Sequence, residues 1–468
     1  MPDFARSADP RVQAELDLLS KLSPGGDQLG LDRITRLLDG LGRPQDQLPP
    51  VLHVAGTNGK GSTCAFLRAA LEASGHKVHA FTSPHLVRFN ERIRIAGRLI
   101  EDGELAALLA EVREASDEIE PSFFEATTAV AMLAFARTPA DACILEVGLG
   151  GRLDATNVID KPLVTAIASL GLDHQHFLGH RMIDIAAEKA GIARAGVPLI
   201  TQLYPDDIAG QISEVAHAVG APWLPRAGGW DALIRQNRLH YSDEKGELEL
   251  PVPRLPGRHQ ALNAGLAIAV LRHQDGLKVP TSAFSAAMGW ADWPARLQRL
   301  PSGPLTGLMP VGSELWVDGG HNPAAARLVA DWVKHHWVDG RPLHLLFAAL
   351  NSKDAEGILK PFAGIADVVH TLPITDHDCR DPGELATMAR GQGFKAMRGN
   401  RSGRHWRPSA SRDARWSSVP STLPARHSAP TASSPTRSSD YSFRPTCWSL
   451  RLRERPCGRR RSSGSIRS

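Results

Sequence analysis

The chain of 468 residues carries 54 Lys and Arg against 50 Asp and Glu, and 42% of its residues are apolar. This length fits about two to four domains, and the apolar content excludes disorder throughout. The N-terminus lacks the apolar segment of a signal peptide, and no uncharged apolar run reaches the roughly 18 residues of a transmembrane helix. The five cysteines form no C-x-x-C pair, which argues against a zinc site or a disulfide framework. We expect a monomeric, cytoplasmic protein with no membrane partner.

The net charge of +4 is the sum of two unlike parts. Residues 399–468 contain 15 Arg, no Lys and three acids, which gives +12 and leaves −8 for the rest of the chain. This tail is rich in Ser and Pro and poor in Leu, Ile, Val and Phe, so we expect it to be disordered. The abrupt change of composition favours a shifted reading frame. The alternative is a basic arm for nucleic acid, with Trp406, Trp416 and Trp448 stacking on bases, although no fold or repeat supports it.

Apolar runs alternate with helical patterns in the first part of the chain. Strand-like runs lie at 51–55, 77–82, 141–148 and 162–170, and helical spacing lies at 64–75, 104–115 and 124–137. This alternation predicts a doubly wound α/β fold around a parallel sheet.

A second, shorter alternation follows a proline-bearing stretch at 290–304. Strands are predicted at 314–319, 342–350 and 367–374, and helices at 324–336 and near 354–363. We therefore predict a large phosphate-loop domain over 1–293, a smaller Rossmann-like α/β domain over 294–398, and the tail over 399–468.

A glycine-rich segment, GTNGKGST at 56–63, lies between the first strand and the first helix of the sheet. Its glycines allow backbone N–H groups to close on a phosphate, the helix N-terminus favours the anion, and Lys60 supplies a positive charge. The spacing differs from G-x-x-x-x-G-K-[ST], because Gly61 intervenes before the hydroxyl of Ser62. The segment still predicts a nucleotide phosphate site.

Three polar residues follow predicted strands that end at the same edge of this sheet. Glu146 ends an apolar strand and precedes a glycine-rich loop at 147–151, while Ser83 and His174 follow two other strands. Taken alone, Ser83 or His174 would more often be a capping or core residue than a ligand. Their shared position at the carboxyl edge favours ligand binding, and a carboxylate there suits the Mg²⁺ that accompanies a nucleotide.

These motifs together resemble one enzyme family. The matching segments are VAGTNGKGS at 54–62, SPHLVR at 83–88, LEVGLGGRLDATN at 145–157, DH at 173–174 with LG at 178–179, EKAGI at 188–192 and DGGHNP at 318–323. They look like folylpolyglutamate synthases, whose bacterial members often double as dihydrofolate synthases and which belong with the Mur peptide ligases. The match runs in order from about residue 15 to about 396.

The resemblance implies an ATP-dependent amide ligase. It would add L-glutamate to dihydropteroate or to the glutamate of a reduced folate through an acyl phosphate, with ATP as co-substrate and two Mg²⁺ ions. A Mur-type ligase acting on a nucleotide-sugar peptide is the alternative enzyme. That alternative would need a UDP-binding domain before the phosphate loop, where only about 50 residues stand.

The resemblance also implies roles for single residues. Lys60, Lys189 and His321 would serve catalysis, with Lys189 carbamylated to hold a second metal and His321 near the bound glutamate or capping the following helix. Ser83, Glu146, His174 and Lys189 would hold metal. The implied ATP-binding residues are Thr57, Asn58, Gly59, Lys60, Gly61, Ser62, Asn263, Arg296 and Asp318. The implied pterin-side residues are Ser122, Phe123, Phe124, Glu125, Leu153, Asp154 and Ala155, of which Phe123 and Phe124 could equally be core.

The chain departs from the family pattern at two places. Ala295 stands where the family usually has glycine, and no pattern of a hydrophobic strand, Gly-Ser turn and helix follows Ala396. Since a sheet without its last strand exposes an edge and loses core, we expect the second domain to be incomplete. The first domain should fold and bind nucleotide while turnover is impaired. Full turnover of a sample whose mass includes this tail would contradict that expectation.

Overall fold

The computed structural model describes residues 5–22, 29–337, 340–374, 377–399 and, for the backbone, 449–452. Its helices are α1 (Pro10–Leu22), α2 (Asp32–Gly40), α3 (Lys60–Ala73), α4 (Asp102–Glu114), α5 (Phe123–Ala136), α6 (Gln175–Leu178), α7 (Met182–Ala190), α8 (Asp206–Val219), α9 (Arg258–Arg272), α10 (Thr281–Trp290), α11 (Pro323–His336), α12 (Ala355–Leu359) and α13 (Pro382–Gly391). Its strands are β1 (Val51–Ala55), β2 (Val78–Phe81), β3 (Ile93–Ile95), β4 (Arg98–Leu99), β5 (Ala142–Glu146), β6 (Val164–Ile167), β7 (Leu199–Thr201), β8 (Trp223–Pro225), β9 (Trp230–Arg235), β10 (Arg238–Asp243), β11 (Gly246–Pro251), β12 (Gln298–Arg299), β13 (Glu314–Val317), β14 (His344–Phe347), β15 (Val368–Thr371), β16 (Ala396–Arg398) and β17 (Ser449–Leu452). Within these residues, no helix combines the length and apolarity needed to cross a bilayer.

The large sheet has the strand order β4-β3-β2-β5-β1-β6-β7-β8. Six neighbouring strands are parallel, namely β2, β5, β1, β6, β7 and β8. β3 and β4 extend the sheet at the β2 edge in antiparallel orientation. β1 is fully buried between β5 and β6, with Val54 opposite Glu146 and Ala55 opposite Ile167. This register brings the carboxyl ends of three strands together and confirms the predicted doubly wound α/β fold.

Helices cover both faces of this sheet. One apolar core lies between the sheet and α3, α9 and α10, and a second lies under α1, α2, α4 and α5. α3 begins at Lys60, four residues before the predicted start, so Lys60, Gly61 and Ser62 form its first turn. The earlier start matters because first-turn N–H groups have no partner inside the helix.

A small antiparallel sheet, β11-β10-β9, was not predicted. Its first hairpin turns at Gln236 and Asn237, whose φ angles of 46° and 58° are both positive. The two-residue turn that this geometry makes is usually signalled by Asn-Gly or Asp-Gly, and the chain has neither there. The sheet packs on α9, with Trp230 and Tyr241 stacked in the core.

The second sheet has the order β12-β13-β17-β14-β15-β16. Its core lies under α11, α12 and α13. β14, β15 and β16 are parallel, while β17 lies antiparallel between β13 and β14. Ser449–Leu452, in the tail that we expected to be disordered, therefore forms one strand of this sheet. Its four-residue pattern is too short to stand out in an Arg-rich segment. The rest of the tail, including Trp406, Trp416 and Trp448, lies outside the described residues.

Because of two buried histidines in the large sheet, we expect the unfolding free energy to depend on pH. His53 in β1 and His79 in β2 are almost fully buried; burial lowers the pKa of His53 to about 3 and also lowers that of His79. Since the unfolded side chain titrates near 6.5, the stability that each contributes is complete above that pH and lost below it. His53 alone should cost about 1.4 kcal/mol of unfolding free energy between pH 7.5 and 5.5.

Urea unfolding at these two pH values measures this loss. His53→Gln should reduce the difference by about that amount, while the matched change at exposed His217 should leave it as in the wild type. An unchanged difference in His53→Gln would contradict the assignment.

Candidate active site

The phosphate loop connects β1 to α3 and is held by its own hydrogen bonds. Gly56 and Gly59 have φ angles of 145° and 87°, which favour glycine. The Thr57 and Asn58 N–H groups donate to the Ser169 carbonyl at 2.9 and 3.0 Å, and the Lys60 ammonium donates to the Gly56 carbonyl at 3.1 Å. The loop thus presents the N-terminus of α3 and a lysine together, an arrangement suited to a phosphate.

Two side chains from outside the loop pack directly on its glycines. A Cβ at Gly59 would lie 2.5 Å from the Asn263 amide oxygen, and a Cβ at Gly61 would overlap the Trp293 indole ring. Asn263, predicted to bind ATP, therefore lies against the loop. Trp293 was not predicted, because nothing in its local sequence distinguishes it from a core residue of the linker.

Glu146 and Ser83 meet at the carboxyl edge of the sheet, as predicted. The Glu146 side chain is buried, and one carboxylate oxygen accepts a hydrogen bond from the Ser83 N–H at 3.2 Å. Burial raises the pKa of Glu146 to about 7, while the charges of Lys60 and Arg296 and the Ser83 N–H oppose this rise. The carboxylate is therefore a buried anion that gains from a nearby cation.

His174 and Ser62 complete the donors at this edge. His174 has a left-handed backbone at the start of α6 and an exposed side chain. Desolvation by the surrounding cleft lowers its pKa to about 4, although Asp173 opposes this shift. The neutral imidazole can therefore act as a ligand. The buried Ser62 hydroxyl has no hydrogen-bond partner within the described part of the chain. These donors fit a Mg²⁺ ion that also takes phosphate oxygens. Among the described residues, no group of three or more His, Cys, Asp or Glu could hold a metal by itself.

The glycine-rich loop after Glu146 packs tightly on the end of α7. A Cβ at Gly151 would lie 2.6 Å from the Glu188 carbonyl oxygen, and the Arg152 N–H donates to the same oxygen at 2.8 Å. Lys189 is buried beside this loop, with its Nζ 3.4 Å from the Gly150 carbonyl. Burial and the charge of Lys60 lower the pKa of Lys189 to about 7, so a large fraction of its amine is neutral near that pH.

The predicted pterin-side residues divide into contacts and core. Ser122 caps α5 and exchanges two hydrogen bonds with Glu125, whose carboxylate also pairs with Arg33 at 3.0 Å. Phe124 is half-buried and its ring covers Gly148. The structure places Phe123 in the core, with its ring against that of Phe89, which favours the core alternative for this residue. Half-buried Leu153 and buried Asp154 and Ala155 follow the glycine-rich loop.

Asp173 joins the two halves of the cleft. One carboxylate oxygen lies 3.0 Å from Nε2 of His321, and the other lies 2.5 Å from Nζ of Lys353. Burial raises the pKa of Asp173, but the hydrogen bond and charge of His321 and the charge of Lys353 bring it well below its usual range. Asp173 lies in one of the matched motifs, but no role was predicted for it from the sequence. Lys353 was not predicted as a site residue, since it lies in a short loop before α12 that matches no motif.

A pair of amides makes a second contact across the cleft. Asn58 of the phosphate loop and Asn322 at the start of α11 exchange hydrogen bonds at 3.0 and 3.3 Å. The Asn322 side chain also caps α11 through the Ala325 N–H. The idea that His321 caps this helix is therefore wrong.

Arg296 and Asp318 lie where the linker meets the second sheet. The Asp318 carboxylate accepts from the N–H groups of Leu297 at 2.8 Å and Gly320 at 2.7 Å, and it is buried. Burial raises the pKa of both Asp318 and Glu146, and the charge of Arg296 opposes both rises. The Arg296 guanidinium donates to the Ala295 carbonyl at 2.9 Å, and Asp318 organises the backbone on either side of this residue.

Comparison with known proteins shows which family this chain belongs to. A family model for the Mur ligase middle domain matches residues 54–271. The dihydrofolate synthase/folylpolyglutamate synthase of Bacillus subtilis (strain 168) is 35% identical over 360 residues, which span 74% of this chain and 81% of that protein. The chain belongs to the folylpolyglutamate synthase/dihydrofolate synthase family.

Solved structures of this family have the same fold. Escherichia coli FolC in complex with DHPP and ADP has a TM-score of 0.75 at 33% identity, with 84% of this chain and 89% of that chain covered. A bifunctional folylpolyglutamate synthase/dihydrofolate synthase with Mn, AMPPNP and L-glutamate bound has a TM-score of 0.73 at 32% identity, with 84% and 91% covered. The resemblance drawn from the motifs is confirmed.

The departure from the family at residue 295 has a structural consequence. Ala295 has a φ of 54°, in the left-handed region where the family's usual glycine is free of strain. Ala295→Gly should therefore raise the unfolding free energy, by up to about 1 kcal/mol.

Chemical denaturation of the two proteins tests this expectation. The matched control is Ala363→Gly, at an exposed residue with a φ of −59°, which should lower stability by a few tenths of a kcal/mol. A loss of stability in Ala295→Gly as large as that in the control would contradict the strain argument.

Proposed function

We propose that this family member joins the amino group of L-glutamate to the carboxylate of dihydropteroate or of a reduced folate, with cleavage of ATP. The observation that carries the proposal is that the phosphate loop, with Lys60 at the N-terminus of α3, and the buried Glu146 lie at the same carboxyl edge of the sheet. These residues come from the phosphate loop and from β5. The N-terminus of α3, which can bind an anion, and the buried carboxylate of Glu146 thus both lie beside the cleft.

A carboxylate must be activated before an amine can attack it. Transfer of the γ-phosphoryl group to the substrate carboxylate gives an acyl phosphate, and phosphate then leaves when the amine adds. The N-terminus of α3 and Lys60 would bind the transferring phosphate and stabilise its charge. Ser62, Ser83, Glu146 and His174 would hold magnesium, which when bound neutralises phosphate charge.

The amino-acid substrate would enter where the second domain contacts the first. Both ring nitrogens of His321 face oxygen acceptors, since Nδ1 lies 3.0 Å from the Gly319 carbonyl and Nε2 contacts Asp173. His321 and Lys353 thus bring hydrogen-bonding groups to the cleft, where a dicarboxylate such as glutamate would bind. The alternative of a nucleotide-sugar peptide as substrate receives no support from the named relatives.

Product analysis tests the proposed function. The protein is incubated with ATP, Mg²⁺ and L-glutamate, separately with dihydropteroate and with tetrahydrofolate, and the products are identified by mass. One added glutamate on either substrate supports the proposal, and the pair of assays shows whether one or both activities are present. Product from neither substrate, with a version carrying an intact C-terminal frame also silent, would refute it.

Lys189 is proposed to carry a carbamate that serves a second Mg²⁺ ion. Its buried, largely neutral amine is the form that reacts with CO₂, and the product replaces a cation with two oxygen ligands. Protein exchanged into ¹³C-bicarbonate should give a carbamate carbonyl resonance that Lys189→Gln lacks. The same variant should lose most turnover. A wild-type spectrum without that resonance would contradict the carbamate.

A further inference from the structure

A buried chain of polar side chains links β1 to the glycine-rich loop. His53 Nε2 lies 2.8 Å from the Thr156 hydroxyl, and that hydroxyl lies 2.5 Å from one oxygen of Asp154. The other oxygen of Asp154 accepts the Leu149 N–H at 2.8 Å. All three side chains are at most 2% exposed, so no solvent can substitute for a lost partner.

The direction of each hydrogen bond in this chain is fixed. Burial raises the pKa of Asp154, and the hydrogen bonds from Leu149 and Thr156 oppose that rise. The ionised carboxylate can only accept, and it receives the Thr156 N–H at 3.0 Å as well as the Thr156 hydroxyl. The single hydroxyl proton of Thr156 therefore points to Asp154, and the hydroxyl oxygen accepts from His53. His53 is consequently the neutral tautomer with its proton on Nε2, in agreement with its lowered pKa.

The chain ends at the loop that faces the predicted pterin side. Asp154 holds the Leu149 N–H, the Phe124 ring covers the adjacent Gly148, and Lys189 contacts the next glycine, Gly150. At its other end, His53 lies in the strand that continues into the phosphate loop. A change at Thr156 should therefore move the glycine-rich loop, whereas the phosphate loop keeps its own bonds to Ser169 and Gly171.

We propose that His53 and Thr156 are positioning residues that fix the Asp154 carboxylate, and through it the pose of residues 148–151 toward the pteroate or folate. They set affinity for that substrate and leave affinity for ATP unchanged. This inference rests on the proposed function. It also assigns Asp154, whose two oxygens already accept three hydrogen bonds, to shaping the loop.

Steady-state kinetics of Thr156→Val provides the test. The isosteric change removes the hydroxyl, so Asp154 loses one of its three hydrogen bonds and His53 Nε2 loses its acceptor. The KM for dihydropteroate or tetrahydrofolate should therefore rise about ten-fold. The KM for ATP should stay within about two-fold. Thr156→Ser, which keeps the hydroxyl, should restore the pteroate or folate KM to within about two-fold of wild type. His53→Phe, which removes the imidazole, should raise the KM for the pteroate or folate as Thr156→Val does.

A matched control separates positioning from general loss of stability. Thr201 in β7 is equally buried and its hydroxyl accepts a hydrogen bond from the Trp223 indole at 3.1 Å, in the same sheet but away from the loop. Thr201→Val should leave both KM values unchanged. Equal changes of the ATP and folate KM values in Thr156→Val, or no rescue by serine, would overturn the proposal.

Failure of the proposed function would look different. In that case the wild-type protein itself would give no product from either the pteroate or the folate substrate. If only the positioning proposal fails, the wild type is active and the variants at Thr156 and His53 have its KM values. Calorimetric binding of ADP to Thr156→Val gives an independent readout, and a weakened affinity for ADP would overturn the claim that the phosphate loop is unaffected.

Discussion

Replacing Lys60 with alanine should reduce turnover by about 10²–10³-fold, because a positioned charge on the transferring phosphate is lost. The Lys60 ammonium is already held at the phosphate loop by the Gly56 carbonyl, so little reorganisation is needed when a phosphate arrives. Its charge also lowers the pKa of Glu146 and of Lys189. The variant should therefore alter the charge state of two neighbours in addition to losing its own contact.

Initial rates with saturating substrates, together with urea unfolding, distinguish loss of chemistry from loss of fold. Lys60 is not part of an apolar core, so the unfolding free energy should change by less than about 1 kcal/mol. Lys161→Ala, at an exposed lysine of the same domain, serves as the matched control and should retain full turnover. Wild-type rates in Lys60→Ala would remove the loop from the proposed mechanism.

Replacing Asp173 with asparagine should lower turnover by about 10²-fold and raise the KM for L-glutamate. The change removes the only charge that His321 and Lys353 share, and each charge-assisted hydrogen bond contributes about 1.5–3 kcal/mol. Without that carboxylate, His321 and Lys353 lose their shared acceptor, and the contact between the first and second domains weakens.

The glutamate KM and the radius of gyration from solution scattering report on these two effects. Lys353→Met, which removes one partner and leaves the carboxylate with His321, should give a smaller loss of turnover than Asp173→Asn. Asp331→Asn, at an exposed acid of α11, is the control for removal of a negative charge in general. Unchanged turnover in Asp173→Asn would show that the contact across the cleft is dispensable.

The parts of the fold that the sequence predicts well are those fixed by local patterns. β1 and β5 are continuous apolar runs, and their ends place the phosphate loop and Glu146 side by side without any long-range information. The start of α3 was predicted four residues late, because Lys60, Gly61 and Ser62 contribute no apolar periodicity. Their helical state follows from the left-handed Gly59 that precedes them.

Contacts between distant segments could not be predicted in the same way. Asp173 and Lys353 are 180 residues apart, and neither has a local pattern that points to the other. The hydrogen-bonded chain of His53, Thr156 and Asp154 likewise depends on the packing of β1 against the segment after β5. The hairpin of β9 and β10 was missed for a different reason, since its turn uses Gln-Asn in place of a glycine-containing pair.

The amide pair of Asn58 and Asn322 has a consequence for how this enzyme can evolve. Each side chain both donates to and accepts from the other across 264 residues of sequence. Replacing Asn322 leaves the Asn58 amide without these two hydrogen bonds, whereas replacing Asn58 leaves Asn322 with the Ala325 N–H and Asp173. In either case, only a complementary change on the other side restores the contact between the domains. We expect the two positions to covary among members of the family, and a chimera that exchanges the second domain between divergent members should work best when this pair is exchanged intact.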